Sequence, residues 1–554
     1  MSWEAELDEL RRREELAERL GGADKVARQH EFGKQTIRER VDAIVDEGTF
    51  WEIGKTAGVA QYDEHGNLVD LMPSNFVFGL AELDGRPAVL SGDDFTVRGG
   101  SNDASILTKR TMSEDLALEM RLPHVRLIDG MGGGGSVKTI EQAGRTYIPE
   151  LAGWHTVIDH LNVAPSVALA LGSVAGMGAA RVATAHYSVI VRGTAQMMIA
   201  GPALVEQAGL GSPSKEELGH ASIHTSNGAI DDVVESEAEA FERAIHFLSY
   251  LPTNVDELPP IEDWGDDPGR RDEALLNMAP HEPRQAYDMR ALLTSVLDDG
   301  SFFEIGAGWG TSIIGGLARL DGVPVAVYAE DPRIYGGGWT ADACRKLIRL
   351  VDIASVFHLP IIHFEDCPGF VIGKKSEEEA TIRYGSAALV ALRQATVPYC
   401  TVVVRKAFGV AGASNRKPGS SSMRLAWPSG DWGSLPLEGG LDVAYKAELA
   451  EADDPAALRE EIAERLNRVR SPHRSAEFFE IEQIIDPRDT RPMLCDWVSL
   501  ARHSLRPGPT TFGFRPCGLG PRRNPPKGAR PQRQCTTPAG AQAQGAPTPP
   551  PPQT

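Results

Sequence analysis

The sequence predicts an α/β protein made of two tandem domains of one fold, followed by a disordered tail. Two observations predict the domains. The chain repeats itself at long range, and within each copy short apolar strands alternate with helices, a pattern typical of layered α/β domains. A third observation predicts the tail, because Pro, Gly, Ala and Gln dominate the composition after residue 516.

The internal repeat consists of four blocks that recur in the same order. The first, RERVDAIVDEGTFWEIG from Arg38, returns from Arg290 as RALLTSVLDDGSFFEIG. The other blocks begin at Gly79, Leu122 and Ala164 and return at Gly316, Leu359 and Val397. The copies lie 233 to 252 residues apart, a period too long for a solenoid, which indicates two homologous domains. Each copy reads as a helix, paired short strands ending in Asp-Gly turns, a helix, an apolar strand, a glycine turn and a helix.

The domain limits follow from the repeat and from composition. We place the boundary in the Pro- and Asp-rich linker LPPIEDWGDDPG, from Leu258 to Gly269. The N-terminal domain then spans residues 1–262 and the C-terminal domain residues 263–516. The first copy carries an insertion, TAGVAQYDEHGNLVDLMPSNF, that the second lacks. Residues 517–554 cannot bury enough apolar surface to fold and are predicted to be disordered.

Composition excludes several classes of function. The formal net charge of −21 argues against a general nucleic-acid or acidic-membrane binder. The six cysteines include no CxxC pair, which suits a reducing compartment and gives no zinc signature. The N-terminal stretch MSWEAELDELRRREELAERL predicts a charged amphipathic helix rather than a signal peptide, and no apolar run reaches membrane-spanning length. We therefore expect a cytoplasmic protein with no metal and with no nucleic-acid or membrane partner.

Four consecutive glycines raise the possibility of a phosphate-binding loop. The segment MGGGGSVKTIEQAG begins at Met131, directly after an apolar strand. A phosphate loop needs a glycine immediately before the lysine, where the backbone wraps the phosphates, but Val137 holds that place. The nucleotide-loop hypothesis is therefore disfavoured. The repeat aligns these glycines with the DCPGF turn of the second copy.

The last repeat block places equivalent glycine turns after two buried strands. The strand SVALALG leads to Gly176-Met177-Gly178, and CTVVVRK leads to Gly409-Val410-Ala411-Gly412. The first N–H groups of a helix lack intrahelical partners, so such turns can hold an anion or a developing oxyanion. A tight connection chosen only for packing is the alternative for a single turn. A dinucleotide fingerprint is disfavoured by Arg181, which stands where its final small residue is required. Because the turns occur twice, we predict two donor sites for two carbonyl oxygens.

Conventional catalytic side chains are not evident. The sequence has no GxSxG elbow, HExxH motif or EF-hand loop. His155, His160 and His186 flank the first turn, where scattered histidines are more often structural than catalytic. The Glu365-Asp366 pair ends a strand and is either a solvated turn or a general base. An enzyme built on backbone donors then needs a base from a cofactor or second substrate.

These residues resemble the carboxyltransferase (β) subunit of biotin-dependent acyl-CoA carboxylases, the propionyl-CoA and acetyl-CoA carboxylase group. The resemblance covers roughly residues 30 to 516. Its marks are RERVDAIVDEGTFWE, DDFTVRGG, VRGTAQMMIAGP, KEELGHASIHTSNGAIDD and FLSYLPTN in the first copy. In the second copy they are EDCPGFVIGKKSEEEATIRYGSAALVALRQATVPYCTVVVRKAFG and AWPSGDWG. The resemblance implies that both domains have the crotonase-like fold, a ββα superhelix.

The resemblance also implies the reaction and the partners. A carboxyl group would pass from carboxybiotin to the α-carbon of an acyl-CoA, with the biotin enolate acting as the base. Biotin would arrive on a separate biotin carboxylase/biotin carboxyl carrier (α) subunit, since the sequence has no MKM biotin-attachment triplet and no evident ATP-grasp module. Six copies of this chain would form a ring of paired trimers. Each active site would lie where the N-terminal domain of one copy meets the C-terminal domain of another.

By the resemblance, backbone groups of the two turns form two oxyanion holes. The acyl-CoA enolate oxygen would lie on the N–H groups of Gly176 and Met177, and the biotin ureido oxygen on those of Val410 and Ala411. The residues implied in substrate binding are Gly132, Gly133, Gly134, Gly409 and Ala413. The family usually has two adjacent glycines in each turn, whereas Met177 and Val410 replace the second here. Ala413 stands where relatives discriminate acyl chain length, so the chain length of the acyl group is left open.

Two alternative functions share this fold. One is a biotin-dependent acyl-CoA decarboxylase subunit of a sodium pump, which runs the transfer in reverse beside a membrane partner. The other is a non-catalytic paralogue that only scaffolds an active carboxylase ring, a hypothesis motivated by the substituted turns at Met177 and Val410.

Overall fold

The computed structural model describes residues 2–101, 106–130, 150–416 and 422–516, together with a few single positions between 141 and 148. Two predictions lie outside the described residues. They are the placement of Gly132, Gly133 and Gly134 and the disorder of residues 517–554.

The first half contains the following elements. Its strands are β1 (Trp51–Glu52), β2 (Gly58–Tyr62), β3 (Leu68–Pro73), β4 (Phe76–Leu83), β5 (Arg86–Asp93), β6 (His124–Ile128), β7 (Ser166–Ala170), β8 (Ser173–Ala175), β9 (Tyr187–Val191), β10 (Gln196–Met198) and β11 (Asp232–Val234). Its helices are α1 (Glu4–Glu18), α2 (Ala23–Glu31), α3 (Ile37–Ile44), α4 (Leu107–Met120), α5 (Trp154–His160), α6 (Met177–Thr184), α7 (Pro202–Gln207), α8 (Lys215–Gly219), α9 (Ala221–Ser226) and α10 (Glu237–Ser249).

The second half repeats this arrangement. Its strands are β12 (Phe303–Glu304), β13 (Ile313–Leu320), β14 (Val323–Glu330), β15 (Ile361–Cys367), β16 (Tyr399–Phe408), β17 (Met423–Ala426), β18 (Asp431–Gly433) and β19 (Gln483–Ile484). Its helices are α11 (Met289–Val296), α12 (Ala341–Val356), α13 (Lys374–Glu378), α14 (Thr381–Gln394), α15 (Gly409–Gly412), α16 (Leu437–Ala444), α17 (Lys446–Glu451), α18 (Pro455–Asn467), α19 (Pro472–Glu477) and α20 (Thr490–Arg502).

The two main sheets have the same topology. One has the strand order β1-β4-β5-β6-β7-β9-β11, and the other has the order β12-β13-β14-β15-β16-β17-β19. In each sheet the first two pairings are antiparallel and the following ones are parallel. The predicted duplication of an α/β domain is confirmed.

The Asp-Gly turns close equivalent hairpins in both copies. Asp84 and Gly85 join β4 to β5 with φ of 50° and 70°, and Asp321 and Gly322 join β13 to β14 with φ of 51° and 72°. Positive φ at both central residues is the geometry of a type I′ turn, which matches the right-handed twist of the strands it joins. The paired strands predicted from the repeat therefore form two-residue hairpins.

The insertion of the first copy forms a separate hairpin that covers the N-terminal helix. Strands β2 and β3 pair antiparallel in a two-stranded sheet. Helix α1 lies on this hairpin, where Arg19 pairs with Asp70 at 2.5 Å. Lys55, just before the hairpin, pairs with Glu18 at 2.6 Å. The predicted N-terminal helix is thus confirmed, although Ala17 is its only buried residue. No helix in the described part of the chain is long and apolar enough to cross a membrane.

The two halves share one hydrophobic core. Tyr187 and Phe247 of the first half pack on Phe303 of the second, and the same buried cluster continues into helix α12. Arg349 of α12 lies 3.0 Å from Asp231 of the first half. The connecting residues 250–272, all of them described, contain no helix or strand. The domain boundary at residue 262 stays a prediction.

Of the three histidines that flank the first glycine turn, His160 and His186 are part of this core, whereas His155 is exposed. His160 is fully buried, and its Nε2 lies 2.8 Å from the Leu122 carbonyl. His186 is buried too and holds the Ser166 N–H and the Leu161 carbonyl at 3.0 and 2.9 Å. Burial lowers the pKa of His160 to about 3 and the pKa of His186 well below its usual value. Both imidazoles are neutral packing groups, in agreement with the structural alternative.

The lowered pKa of His160 predicts a loss of stability in acid. In the unfolded chain His160 binds a proton below its ordinary pKa of about 6.5, whereas in the folded chain it stays neutral down to about pH 3. The free energy of unfolding therefore falls as pH falls through this window, by up to about 1.4 kcal/mol per pH unit for this group. His160→Gln keeps a donor for the Leu122 carbonyl but does not titrate. Its apparent melting temperature should fall less steeply than that of the wild type between pH 6.5 and 4. Identical slopes would contradict the assignment.

Candidate active site

The first glycine turn lies between β8 and α6. Gly176 caps α6 with φ 59° and ψ −122°, a combination that residues with a Cβ strongly disfavour. Met177 is the first residue of the helix, so its N–H has no intrahelical acceptor. A Cβ on Gly178 would lie 3.1 Å from Val174, so the small residue at this position lets the helix begin close to the strand. The turn thus has both a packing role and an outward-facing donor.

The strand before this turn is held by polar contacts. The Ser173 hydroxyl donates to Gln196 at 2.9 Å, and Lys215 donates to Ser173 at 3.2 Å. Strand β8 pairs in parallel with β10, which places Ala175 beside Met198. These contacts fix the backbone that enters Gly176. Gly176 itself is exposed and Met177 is half-buried, so the turn is open to a ligand.

The second glycine turn follows β16 directly. Gly409 has φ 64°, close to the value at Gly176, and begins the short helix α15. Val410 is 58% exposed, whereas Ala411 is fully buried. Both turns therefore contain a glycine with a positive φ where a strand meets a helix, although β8 belongs to a two-stranded sheet with β10 and β16 to the main sheet. The geometry agrees with the predicted duplication of the donor site.

A cavity of about 600 Å³ opens beside the second turn. Gly409, Gly412 and Ala413 line its turn side, and none of them contributes a bulky side chain. The opposite wall is lined by Asn415, Arg416, Arg424, Trp432, Gly433, Ser475, Glu480 and Ile481. Arg424 is held by Glu482 at 2.8 Å. Of the residues in this wall, only Trp432 and Gly433 fall within a recognisable motif, AWPSGDWG, because the others carry no short-range signal.

Buried carboxylates end the equivalent central strands of the two copies. Asp129 follows β6 and accepts from Lys34 at 2.8 Å and pairs with Arg40 at 3.0 Å. Asp366 occupies the equivalent position in β15 and pairs with Arg405 at 2.9 Å. Both aspartates are fully buried. They anchor the sheet edge from which the glycine turns project.

The interpretation of Glu365-Asp366 as a solvated turn is wrong, because both side chains are fully buried. Among the described residues, no group meets hydrogen-bond geometry with either oxygen of Glu365. Burial and the nearby Glu330 carboxylate raise the pKa of Glu365 well above its usual range, and the Asn415 side chain offsets this only in part. Burial also raises the pKa of Asp366, against the influence of Arg405. Asp366 is a structural ion-pair member, and Glu365 is a buried neutral carboxyl group.

No cluster of three or more His, Cys, Asp or Glu side chains in the described part of the chain is arranged to hold a metal ion. Of the predicted site residues, Gly176 and Met177 lie in one turn. Gly409, Val410, Ala411 and Ala413 lie in the other.

Comparison with known proteins identifies relatives over nearly the whole chain. The family model of the carboxyl transferase domain matches residues 28–512. The carboxyltransferase subunit of propionyl-CoA carboxylase from Haloferax mediterranei is 33% identical over 499 residues, which are 89% of this chain and 95% of that protein. The alpha subunit of methylmalonyl-CoA decarboxylase from Veillonella parvula is 29% identical over 487 residues, which are 87% of this chain and 92% of that protein.

The fold has a solved counterpart. Transcarboxylase 12S, in a hexameric crystal structure with methylmalonyl-coenzyme A and methylmalonic acid bound, superimposes with a TM-score of 0.82. The two proteins are 27% identical, and the alignment covers 93% of this chain and 98% of that one. The prediction of two crotonase-like domains is confirmed by this match. The chain belongs to the carboxyl transferase domain family and is an enzyme of the carboxyltransferase type.

Proposed function

We propose that this chain is the carboxyltransferase subunit of a biotin-dependent acyl-CoA carboxylase. It moves a carboxyl group between biotin, carried on a separate protein, and the α-carbon of an acyl-CoA. The observation that carries this proposal is the pair of equivalent glycine turns, Gly176 and Gly409, each with a positive φ and each at the start of a helix. Two donor turns suit a reaction in which two carbonyl oxygens take up negative charge.

The first turn supports binding of the acyl-CoA thioester. Enolisation of a thioester moves negative charge onto its carbonyl oxygen, and an N–H group aimed at that oxygen lowers the barrier. Met177 has such a group at the first position of α6. The side chain at this position does not carry the donor, so replacement of a second glycine by Met leaves the chemistry intact. We assign the acyl-CoA side to Gly176 and Met177.

The second turn supports binding of biotin. Its cavity of about 600 Å³ is in the range of small-molecule sites. The N–H groups of Val410 and Ala411 lie in the first turn of α15, where intrahelical acceptors are lacking. Gly409 and Ala413 leave the approach open. When bound there, carboxybiotin supplies both the carboxyl group and the base. A base from biotin is consistent with His160 and His186 being buried packing groups rather than catalytic bases.

The exposed apolar residues near the turns are consistent with a ring of copies. Ile199, just after β10, is 96% exposed, and Ile372, in the loop after β15, is 90% exposed. Single exposed apolar side chains are common on protein surfaces, so we infer the ring from the hexamer named for transcarboxylase 12S, and these residues mark where a second copy would lie. We propose that a second copy covers them and that a homo-hexamer forms, the assembly named for transcarboxylase 12S. The biotin carboxylase and carrier subunits are further partners, and a cytoplasmic location stays a prediction.

A decarboxylase subunit is the second candidate function. The relationship to the alpha subunit of methylmalonyl-CoA decarboxylase favours it, because the same transfer run in reverse uses the same two turns. Purification from cells at native abundance discriminates the two. A carboxylase should bring an ATP-dependent biotin carboxylase with it, whereas a decarboxylase should bring a membrane protein.

The proposed reaction can be tested in reverse with the purified chain. We expect biotin-dependent loss of the carboxyl group from 2-carboxyacyl-CoA thioesters, measured as release of labelled CO2 over a series of chain lengths. The same protein should not fix bicarbonate with ATP, since that step belongs to the partner subunits. A chain that consumes none of the thioesters with free biotin present would contradict the proposal. ATP-dependent carboxylation by this chain alone would contradict it equally.

The role of the Met177 N–H can be separated from that of its side chain. Met177→Ala keeps the donor and should change kcat no more than several-fold through altered packing. Met177→Pro removes the N–H and should lower kcat by about 10²–10³, which corresponds to about 3 kcal/mol for one oxyanion donor. Since proline also restricts φ, unchanged oligomer size and melting temperature serve as controls. A folded Met177→Pro enzyme with near wild-type turnover would remove Met177 from the oxyanion site.

A further inference from the structure

A cluster of polar side chains is buried behind the second glycine turn and plays no part in the proposed chemistry. It consists of Tyr328 and Glu330 on β14, His363 on β15, and Tyr399 and Thr401 on β16, all of which are buried. The sheet register places Tyr328 beside His363 and His363 beside Thr401. Burying five polar side chains on one face of a sheet lowers the stability of the fold unless each of them is hydrogen-bonded. The hydrogen bonds of these five side chains therefore show which part of the backbone the cluster holds in place.

The direction of each hydrogen bond follows from the single proton of Tyr399. Its hydroxyl lies 2.9 Å from the Ser414 carbonyl, which can only accept, so Tyr399 donates there. The Tyr328 hydroxyl, 2.5 Å away, must then donate to Tyr399. His363 Nδ1 lies 3.1 Å from the same oxygen. Tyr399 thus accepts from Tyr328 and donates to Ser414, with His363 Nδ1 beside it, and these contacts fix its hydroxyl.

Glu330 fixes the histidine in turn. Its two carboxylate oxygens each lie 3.1 Å from His363 Nε2. The same carboxylate accepts from the Trp339 indole at 3.0 Å and from the Asp366 N–H at 3.1 Å. The ring of His363 also stacks on Tyr328 at 4.1 Å between centroids. His363 is therefore held in one orientation, with Nδ1 directed at Tyr399.

The final acceptors of these hydrogen bonds are backbone carbonyls in the segment that follows the second glycine turn. Residues Ala413–Asn415 form a 3-10 helix directly after α15. Tyr399 holds the Ser414 carbonyl, and the Thr401 hydroxyl donates to the Asn415 carbonyl at 3.0 Å. The Asn415 amide donates back to Gly412 at 2.8 Å. Two side chains of β16 thus hold the backbone that follows Val410 and Ala411.

In the first copy the corresponding residue after the turn is also held by buried polar groups, but by an ion pair instead of a hydroxyl group. Arg181, five residues after Gly176, corresponds in the repeat to Ser414, five residues after Gly409. Its guanidinium lies 3.2 Å from Glu114, which also pairs with Arg126. Arg126 occupies the place of His363 and donates to Ser166, the counterpart of Tyr399, at 2.6 Å. In both copies the fifth residue after the turn glycine contacts buried polar groups, through the side chain of Arg181 in the first and through the backbone carbonyl of Ser414 in the second.

We propose that Tyr399 is a positioning residue for the second glycine turn, with its hydroxyl oriented by His363 and Glu330. This rests on the proposed function, because the turn matters for catalysis only if its N–H groups hold biotin. Tyr399 touches no substrate in this account. The Tyr399 hydroxyl holds the Ser414 carbonyl in place. This contact keeps the N–H groups of Val410 and Ala411 directed at the cavity.

A matched pair of variants tests the assignment. Tyr399→Phe and Tyr328→Phe each remove one hydroxyl from the same buried pair, but only Tyr399 contacts the Ser414 carbonyl. Hydrogen exchange followed by mass spectrometry should show peptides spanning residues 409–416 exchanging about tenfold faster in Tyr399→Phe and within about twofold of the wild type in Tyr328→Phe. Thr401→Val, which removes the neighbouring contact to Asn415, should change the same peptides in the same direction.

Kinetics of the reverse transfer give the functional readout. Tyr399→Phe should lower kcat/KM for free biotin about tenfold and leave KM for the CoA thioester unchanged. Equal effects of the two Phe variants on exchange, or a defect confined to the CoA thioester, would overturn the positioning role. If Tyr399→Phe fails to assemble, unchanged exchange of residues 409–416 in Thr401→Val would overturn it. A wild-type chain without any transfer activity contradicts the proposed function instead, and the exchange comparison then still decides what Tyr399 holds.

Discussion

The site depends on a backbone constraint: a buried parallel strand must turn sharply into a helix whose first N–H groups face outward. Gly176 meets this constraint with φ 59° and Gly409 with φ 64°. The ψ of −122° at Gly176 lies where residues with a Cβ are strongly disfavoured, and the positive φ at Gly409 favours glycine. The residue after Gly176 needs only its N–H. The chain can therefore carry Met177 and Val410 beside the turn glycines without losing the donors.

In each half, buried ion pairs hold the ends of the strands next to these turns. Asp129 and Asp366 lie at equivalent strand ends, and each is neutralised by basic side chains from elsewhere in its own domain. An ion pair buried in this way is costly to break, because removal of one partner leaves an unpaired charge in the core. The duplicated sheets thus form a rigid frame. The two copies then differ in the turn surroundings, where the second has an open cavity beside Ala413.

Much of the fold could be predicted because its signals are local. The repeat blocks, the Asp-Gly turns and the glycine turns each appear as short patterns in one stretch of sequence, and all are present in the structure. The domain family followed from motifs spread along the chain. Burial of Glu365 and Asp366 could not be predicted, since it depends on Arg405, 39 residues further along, and on a strand register that no local pattern specifies. The link from Tyr399 to Ser414 was missed for the same reason.

A structure of the chain with a non-hydrolysable acyl-CoA and free biotin bound is the most direct measurement of the central claim. We expect the thioester carbonyl oxygen within about 3 Å of the Met177 nitrogen, and the biotin ureido oxygen equally close to the nitrogens of Val410 and Ala411. A complex in which either oxygen is held by side chains, away from both glycine turns, would contradict it.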